Sequence, residues 1–485
     1  MNARAAVRSA GTALDAAALE ARVQRLAGLL QRARPQALGL VADNSIEWVV
    51  ADLAAERARV PLVPLPAFFT LGQLQHAADT TGMDALLCDA PGIATALGFT
   101  PGGHMPGSAL PWFRRKAAVP VELPVGTSKI TFTSGTTGSP KGVCLSAKQQ
   151  RTVAASLVEA TQGVGIARHL SLLPLAVLLE NIAGVHAPLA AGATCCLPSL
   201  GAVGVGGATS FDPRVALGAI ERWQADSVIL LPQMLAALTA AIEAGAPRPA
   251  RLRFAAVGGA KVSPALIERA RAAGIPAYEG YGLSECASVV ALNVPGANRP
   301  GSVGRALPHA RVRIGDGEIV VDGAGSLGYV GEHAPGADSL RTGDLGRVDA
   351  DGFLHIDGRR KHQLITSFGR NVAPEWPESE LTVSPAVAQA AVFGEARPQL
   401  AAVLVPALPA VPDIALEAAV RAANERLPDY ARIAVWLRAD APFSPANGLA
   451  TANGRARRDA VWQRYGAQLE SLYEDPTGVP VHALL

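Results

Sequence analysis

Residues 130–143 read Ile-Thr-Phe-Thr-Ser-Gly-Thr-Thr-Gly-Ser-Pro-Lys-Gly-Val. The strand-like start, Ile130 to Phe132, runs into a loop dense in glycine and hydroxyl side chains, with one lysine, Lys141. Glycines let backbone N–H groups turn towards an anion, hydroxyls add donors, and the ammonium adds a point charge, so the loop suits a polyphosphate. It is not a Walker A loop, because the G-x-x-x-x-G-K-[ST] spacing is absent.

On either side of this loop, strand and helix patterns alternate. Leu19, Val23, Leu26 and Leu30 share one helix face, and Pro35 follows its end. Residues 37–41 read as a strand, and Asn44 with Glu47 predicts a capping box opening a helix through Trp48 and Leu53. Residues 60–65, 85–88, 228–231 and 252–257 read as further strands. The alternation predicts parallel α/β sheets with helices on both faces. The glycine-rich stretch 201–207 reads as a surface loop.

From about Pro300 the texture changes. Short apolar runs at 312–314, 318–321, 328–330 and 353–356, separated by Gly/Asp turns, predict a small β subdomain. Beyond Gly358 the pattern is mixed again, with strands at 387–393, 401–406 and 433–437 and a helix over 415–427, a domain-sized unit.

A chain of 485 residues is too long for one core. With 49% hydrophobic and 17% charged residues it is globular, and a net charge of +2 excludes a bulk nucleic-acid binder. Five cysteines make neither a disulfide framework nor a zinc pattern, and Cys195-Cys196 reads as part of a buried strand. No secretory signal and no transmembrane segment is legible, so the expected location is cytoplasmic. Only six of the 43 basic residues are lysines, and none follows Lys361.

Thr133-Ser-Gly-Thr-Thr-Gly-Ser-Pro-Lys-Gly142 resembles the signature loop of the adenylate-forming enzymes, among them acyl-CoA synthetases, aryl-CoA ligases, luciferases and nonribosomal adenylation domains. The likeness extends over about residues 14–473 and is closest to the long-chain acyl-CoA synthetase branch. It implies a large N-terminal domain, residues 1–358, of parallel α/β sheets plus the small β subdomain. A small mobile α+β C-terminal lid, residues 359–485, would follow, hinged near Lys361. It also implies that ATP and a carboxylic acid give an acyl-adenylate and pyrophosphate. The acyl group then passes to a thiol, either of CoA or of the phosphopantetheine on an acyl carrier protein.

By this resemblance Thr133, Ser134, Gly135, Thr137, Gly138 and Lys141 hold the phosphates, and Thr136 and Glu285 serve Mg²⁺. Gly258, Gly259 and Ala260 line the nucleotide site together with Tyr278-Glu-Gly-Tyr-Gly-Leu-Ser-Glu285. In that motif Glu279, Gly280 and Gly282 flank Tyr281, which would stack on adenine, and Ser284 would touch the α-phosphate. Asp344 and Arg359 would hold the ribose end, a carboxylate being suited to paired hydroxyls.

Residues 173–180 resemble the long-chain version of a motif whose fifth residue is usually histidine; here it is Val177. The implied acyl pocket includes Val177, Met234 and Ala287, with Gly369 on a loop beside the pantetheine tunnel. The pocket candidates carry no charge, so an amino acid is not expected, whereas a fatty or aryl acid fits and the motifs favour a fatty acid. Arg359, Arg360, Lys361 and Arg370 form a basic run that is either a solvated face or a seat for an acidic carrier protein.

The final motif, residues 447–458, has Arg455 where the family places its catalytic lysine. That ammonium bridges the substrate carboxylate and the α-phosphate, gathering charge and orienting the reactants. Arginine keeps the charge but is bulkier and aims its donors as a planar fork. Three expectations follow: Arg455 does the work with Thr136 and Glu285, adenylation is slow with thiol transfer intact, or the chain is a non-catalytic binder of nucleotide or carrier protein.

Overall fold

The computed structural model describes residues 5–103, 107–116, 121–133, 141–206, 210–332, 339–451 and 454–474. Strand Thr127–Thr133, which leads into the phosphate-type loop, lies inside an eight-stranded sheet. It runs parallel with Leu62–Pro64, Leu38–Val41 and Ala85–Cys88, in that order. Their unbroken apolar runs follow from burial on both faces. The outer strands, including Lys141–Ser146 and Trp112–Arg114, are antiparallel.

A nine-stranded sheet stands beside it. Its parallel centre runs Ala277–Leu283, Phe254–Val257, Ser227–Leu230, Arg168–Leu170, Thr194–Cys196 and Ala5–Ser9. Both edges turn antiparallel, through Ser288–Leu292 and then Arg305–Ala306 on one side and through Thr12–Asp15 on the other. The sheets are thus parallel at their cores but mixed overall, because a hairpin needs only a short turn and a parallel partner needs a crossover. All five cysteines are free and buried, Cys195 and Cys196 in their strand.

Helix Ile46–Ala58 packs against strands of both sheets, and its buried residues leave little polar face. Its cap corrects the expected Asn44–Glu47 box. Ser45 is the N-cap, its Oγ accepting from Trp48 N at 3.2 Å. The Asn44 side chain instead crosses to the Leu173 carbonyl and the Leu175 amide, at 2.8 Å each. Helix Ala16–Ala33 follows its pattern: Asp15 caps it, Leu19, Val23, Leu26 and Leu30 are buried, and Arg34 ends it in the left-handed region before Pro35.

Two other readings need correction. The stretch read as a loop at 201–207 holds a 3₁₀ turn, Gly201–Val203, and strand Val205–Gly206, which pairs with Ser210–Phe211. The strand near 328–330 is Gly328–Tyr329, and it pairs with Lys141–Ser146 in the eight-stranded sheet rather than in the β subdomain. That subdomain is a four-stranded antiparallel sheet of Arg311–Gly315, Glu318–Asp322, Ser339–Val348 and Leu354–Arg359.

The small C-terminal domain has a three-stranded sheet, Val387–Phe393, Leu400–Pro406 and Ile433–Arg438. Alternate side chains serve two cores. Ala402 and Leu404 pack with helix Asp413–Arg426, while Ala401, Val403 and Val405 pack with helix Arg458–Glu474. Among the described residues no helix is long and apolar enough to cross a membrane.

Candidate active site

Loops of both domains face one cleft of about 2850 Å³. Asp344 sits on Ser339–Val348 directly across the ladder from Arg359. Its Oδ1 accepts from Arg359 Nε at 2.7 Å and its Oδ2 from the Tyr281 hydroxyl at 2.6 Å. The Asp344 amide donates to Thr342 Oγ1, so backbone and side chain are both fixed. Burial, and then the Asp344 charge, push the Tyr281 hydroxyl well above its ordinary pKa, so it remains a donor.

Tyr281 comes from strand Ala277–Leu283, which also carries Glu279, Gly280 and Gly282 along the cleft. Gly282 is required by close approach, since a Cβ there would lie 1.6 Å from the Ser288 carbonyl oxygen. Glu279 is buried, and burial pushes its carboxyl up to about 8 against the opposing pull of Lys261. Burial lowers the Lys261 ammonium, which donates to the Ile356 carbonyl at 2.8 Å.

A 3₁₀ turn, Ser284–Cys286, follows. Glu285 Oε1 accepts from the Tyr329 hydroxyl at 2.8 Å, and Gln149 holds the Glu285 carbonyl at 3.3 Å. Lys141 opens strand Lys141–Ser146, with Nζ 3.2 Å from Glu332 and 5.0 Å from the Tyr329 ring centroid. Lys141 and Glu285 therefore converge on Tyr329. Among the described residues no group of three or more His, Cys, Asp or Glu is placed to hold a metal. A half-buried single carboxylate such as Glu285 fits Mg²⁺, which takes most of its oxygens from phosphates and water.

Gly258, Gly259 and Ala260 follow strand Phe254–Val257 and line the cleft. The small domain reaches them through Arg455, whose Nε donates to the Gly259 carbonyl at 3.1 Å while Nη2 donates to the same oxygen. The side chain lines the cleft. Desolvation and then Arg359 lower its pKa. Lys361 lies in the 3₁₀ turn Arg360–His362 on the cleft wall.

Val177 and Met234 are also on that wall. Ala287 is not: it is wholly buried in the apolar cluster with Val143 and Leu178, and Ser288 and Val289 form the wall instead. Gly369, at φ +70°, stands exposed at the tip of hairpin Leu364–Ile365/Asn371–Val372 and is off the wall in this pose. Ser134, Gly135, Thr136, Thr137 and Gly138 lie outside the described residues, as does the side chain of Thr133.

Two polar clusters escaped the sequence reading. Lys129, on the strand before the phosphate-type loop, is buried with Nζ 2.8 Å from Asp52 Oδ1. Asp52 Oδ2 meets Asn181 Nδ2 at 2.8 Å and His186 Nε2 at 2.9 Å. Burial raises the Asp52 carboxyl, but Lys129 and His186 outweigh it and hold the group well below the carboxylate range. A lysine inside the strand Thr127–Thr133 was the one available signal. The second cluster, His169 with Glu180 and Ser227, joins separate strands and a π-helical turn, and no spacing announces it.

Residues 1–332 match the AMP-binding enzyme family, and residues 361–477 match the AMP-binding enzyme C-terminal domain. A feruloyl-CoA synthase of an Amycolatopsis species is 31% identical over 438 residues, 83% of this chain and 85% of that protein. A long-chain-fatty-acid–CoA ligase of Mycobacterium bovis is 32% identical over 251 residues, 46% of this chain, and the match spans only 42% of that relative's length. An o-succinylbenzoate coenzyme A synthetase of Bacillus subtilis, solved with ATP and magnesium ion, superposes with a TM-score of 0.72 at 24% identity. That match covers 94% of this chain and 96% of that one, a likeness of fold.

Proposed function

The chain belongs to the AMP-binding enzyme family, and from that premise we propose that it activates a carboxylic acid with ATP and passes the acyl group to a thiol. A carboxylate oxygen attacks the α-phosphorus and pyrophosphate leaves. The thiol sulfur then attacks the acyl carbon, AMP leaves, and the thiol proton goes to solvent. The observation that carries this reading is the convergence of Asp344, Tyr281 and Arg359 with Arg455 of the small domain across one cleft.

In this reading Asp344 accepts from the ribose hydroxyls, Tyr281 stacks on adenine, Ser284 touches the α-phosphate, and Lys141 meets the outer phosphates. Glu285, with Thr136, holds the magnesium ion. Magnesium, when bound, neutralises phosphate charge. Arg455 brings positive charge to the point where carboxylate and α-phosphate meet. The lid comprises residues 359–485 and turns at Lys361. The apolar wall around Val177 and Met234 supports an acid with an apolar body, and the fatty-acid and feruloyl relatives bracket its class. CoA is the acceptor, as in the names of those relatives. The basic run at the hinge gives a carrier protein's phosphopantetheine as the second choice. Such chemistry suits the cytoplasm, where ATP and CoA are supplied.

Magnesium-dependent ATP–pyrophosphate exchange over a panel of fatty and aryl acids, followed by thioester formation with CoA, tests the proposal. ATP binding without exchange for any acid would sink it and favour the non-catalytic reading.

A further inference from the structure

Below the Gly258–Gly259 turn the cleft extends along one face of the nine-stranded sheet. Parallel register puts Ala256 opposite Ile229, Phe254 opposite Ser227, and Ser227 opposite His169, so these side chains share that face. The wall is mostly apolar, with Ala256, Phe254, Leu157 and Leu178 on it, but His169 and Ser227 line it too. Ser227 stands three residues before Leu230, the last of its strand, and so about 10 Å below the edge that carries the nucleotide loops.

Three elements meet there. His169 Nδ1 lies 2.9 Å from Ser227 Oγ, and Nε2 lies 3.0 Å from Glu180 Oε1. Glu180 Oε2 accepts from the Leu173 amide at 3.3 Å. His169 and Ser227 are each 3% exposed and Glu180 is 0% exposed. Polar groups this deep are costly unless bonded, and these bonds engage both carboxylate oxygens and both ring nitrogens. Gly184 leaves the necessary room, because a Cβ there would come within 2.2 Å of Glu180 Oε1 and 2.8 Å of His169 Nε2. A hydroxyl has one hydrogen and two acceptor positions, and the imidazole engages one of the three, so Ser227 can still bond a ligand.

We propose that Ser227 is a specificity-determining residue that recognises the tail of the acid. The preferred substrate carries a hydroxyl or carbonyl oxygen at the end remote from its carboxyl group. His169 and Glu180 are positioning residues, fixing the hydroxyl from behind. Ser227's depth keeps it away from the reacting carboxyl, so it takes no part in the chemistry. This inference rests on the adenylation reading of the same cleft.

The test compares acids matched in length with and without a terminal oxygen, such as 4-hydroxycinnamic against cinnamic acid and ω-hydroxy against plain medium-chain fatty acids. The readout is kcat/KM for ATP–pyrophosphate exchange. A site built to bond a substrate hydroxyl rejects the analogue lacking it, so the oxygen-bearing acid is expected to be favoured at least about tenfold. Ser227→Ala, a loss of one atom, should collapse that preference to about twofold or less through KM. Glu180→Gln, similar in volume, should weaken the preference part of the way. Wild-type enzyme with no preference, or Ser227→Ala keeping it, would overturn the inference. So would Ser227→Ala slowing both acids alike with an unchanged melting temperature. Exchange with plain acids alone would leave the adenylation reading standing while this inference falls, whereas exchange with no acid removes both.

Discussion

Asp344 has each of its oxygens bonded to a neighbour, Arg359 at one and Tyr281 at the other, so its orientation is set by strand register and not by the ligand. Asp344→Asn should therefore leave the fold intact and raise KM for ATP about tenfold or more, the worth of charge-assisted hydrogen bonds, in steady-state exchange. Arg455→Lys is expected to keep the fold and raise adenylate formation; a fall in exchange would identify arginine as the working residue. Glu279 gives a pH signature. Its carboxyl, ordinarily near 4.5, is pushed up to about 8 in the folded state. Between those values the folded chain keeps a proton that the unfolded chain has released. Its contribution is thus complete below about pH 4.5 and lost as pH rises through about 8. Glu279→Gln should flatten that decline, gaining on wild type in melting temperature from pH 5 to pH 8. Residues in contiguous motifs, such as Tyr281 and Glu285, could be placed from sequence because one strand and its turn deliver them together. Ser227 and His169 could not, being 58 residues apart and joined only by strand pairing.

Strand Thr127–Thr133 is anchored where it approaches the phosphate-type loop. Lys129 ties it to helix Ile46–Ala58 through Asp52 and to the π-helical segment Glu180–His186 through Asn181. Lys129→Met leaves Asp52 buried and short of its main counter-charge. Breaking such a pair from one side costs about 3–5 kcal/mol, to be read as a lowered urea midpoint with an unchanged m-value. At this scale most strands were legible, because a strand covered on both faces has to be apolar throughout. The errors arose where long-range partners outbid local ones. Asn44 looked like a cap until its amide met Leu173 and Leu175, and Gly328–Tyr329 found its ladder in a sheet far back along the chain.

The two domains also touch away from the nucleotide loops. Ser263 Oγ donates to Glu380 Oε1 at 2.8 Å, Arg426 Nε bonds the other oxygen at 2.6 Å, and Arg269 donates to the Val383 carbonyl. Ser263 also caps helix Pro264–Ala272, so Ser263→Gly is the apt probe, since glycine is tolerated at a cap for a few tenths of a kcal/mol. Losing one hydrogen bond should weaken the contact between the domains about two- to tenfold, seen as faster tryptic cleavage at the basic run Arg359-Arg360-Lys361. The change of texture after Pro300 made the order of large domain, β subdomain and small domain readable. The bonds between domains were not readable, because each pairs residues more than a hundred positions apart.

Arg455, forked onto the Gly259 carbonyl, has a chemical consequence apart from geometry. An acyl-adenylate is an electrophile, and a neighbouring primary amine can capture it as a stable amide. Beyond Lys361 the small domain offers no such side chain, since no lysine follows it and a guanidinium stays protonated. In the proposed reaction, the charge that Arg455 would bring to the mixed anhydride therefore cannot be erased by N-acylation from the product.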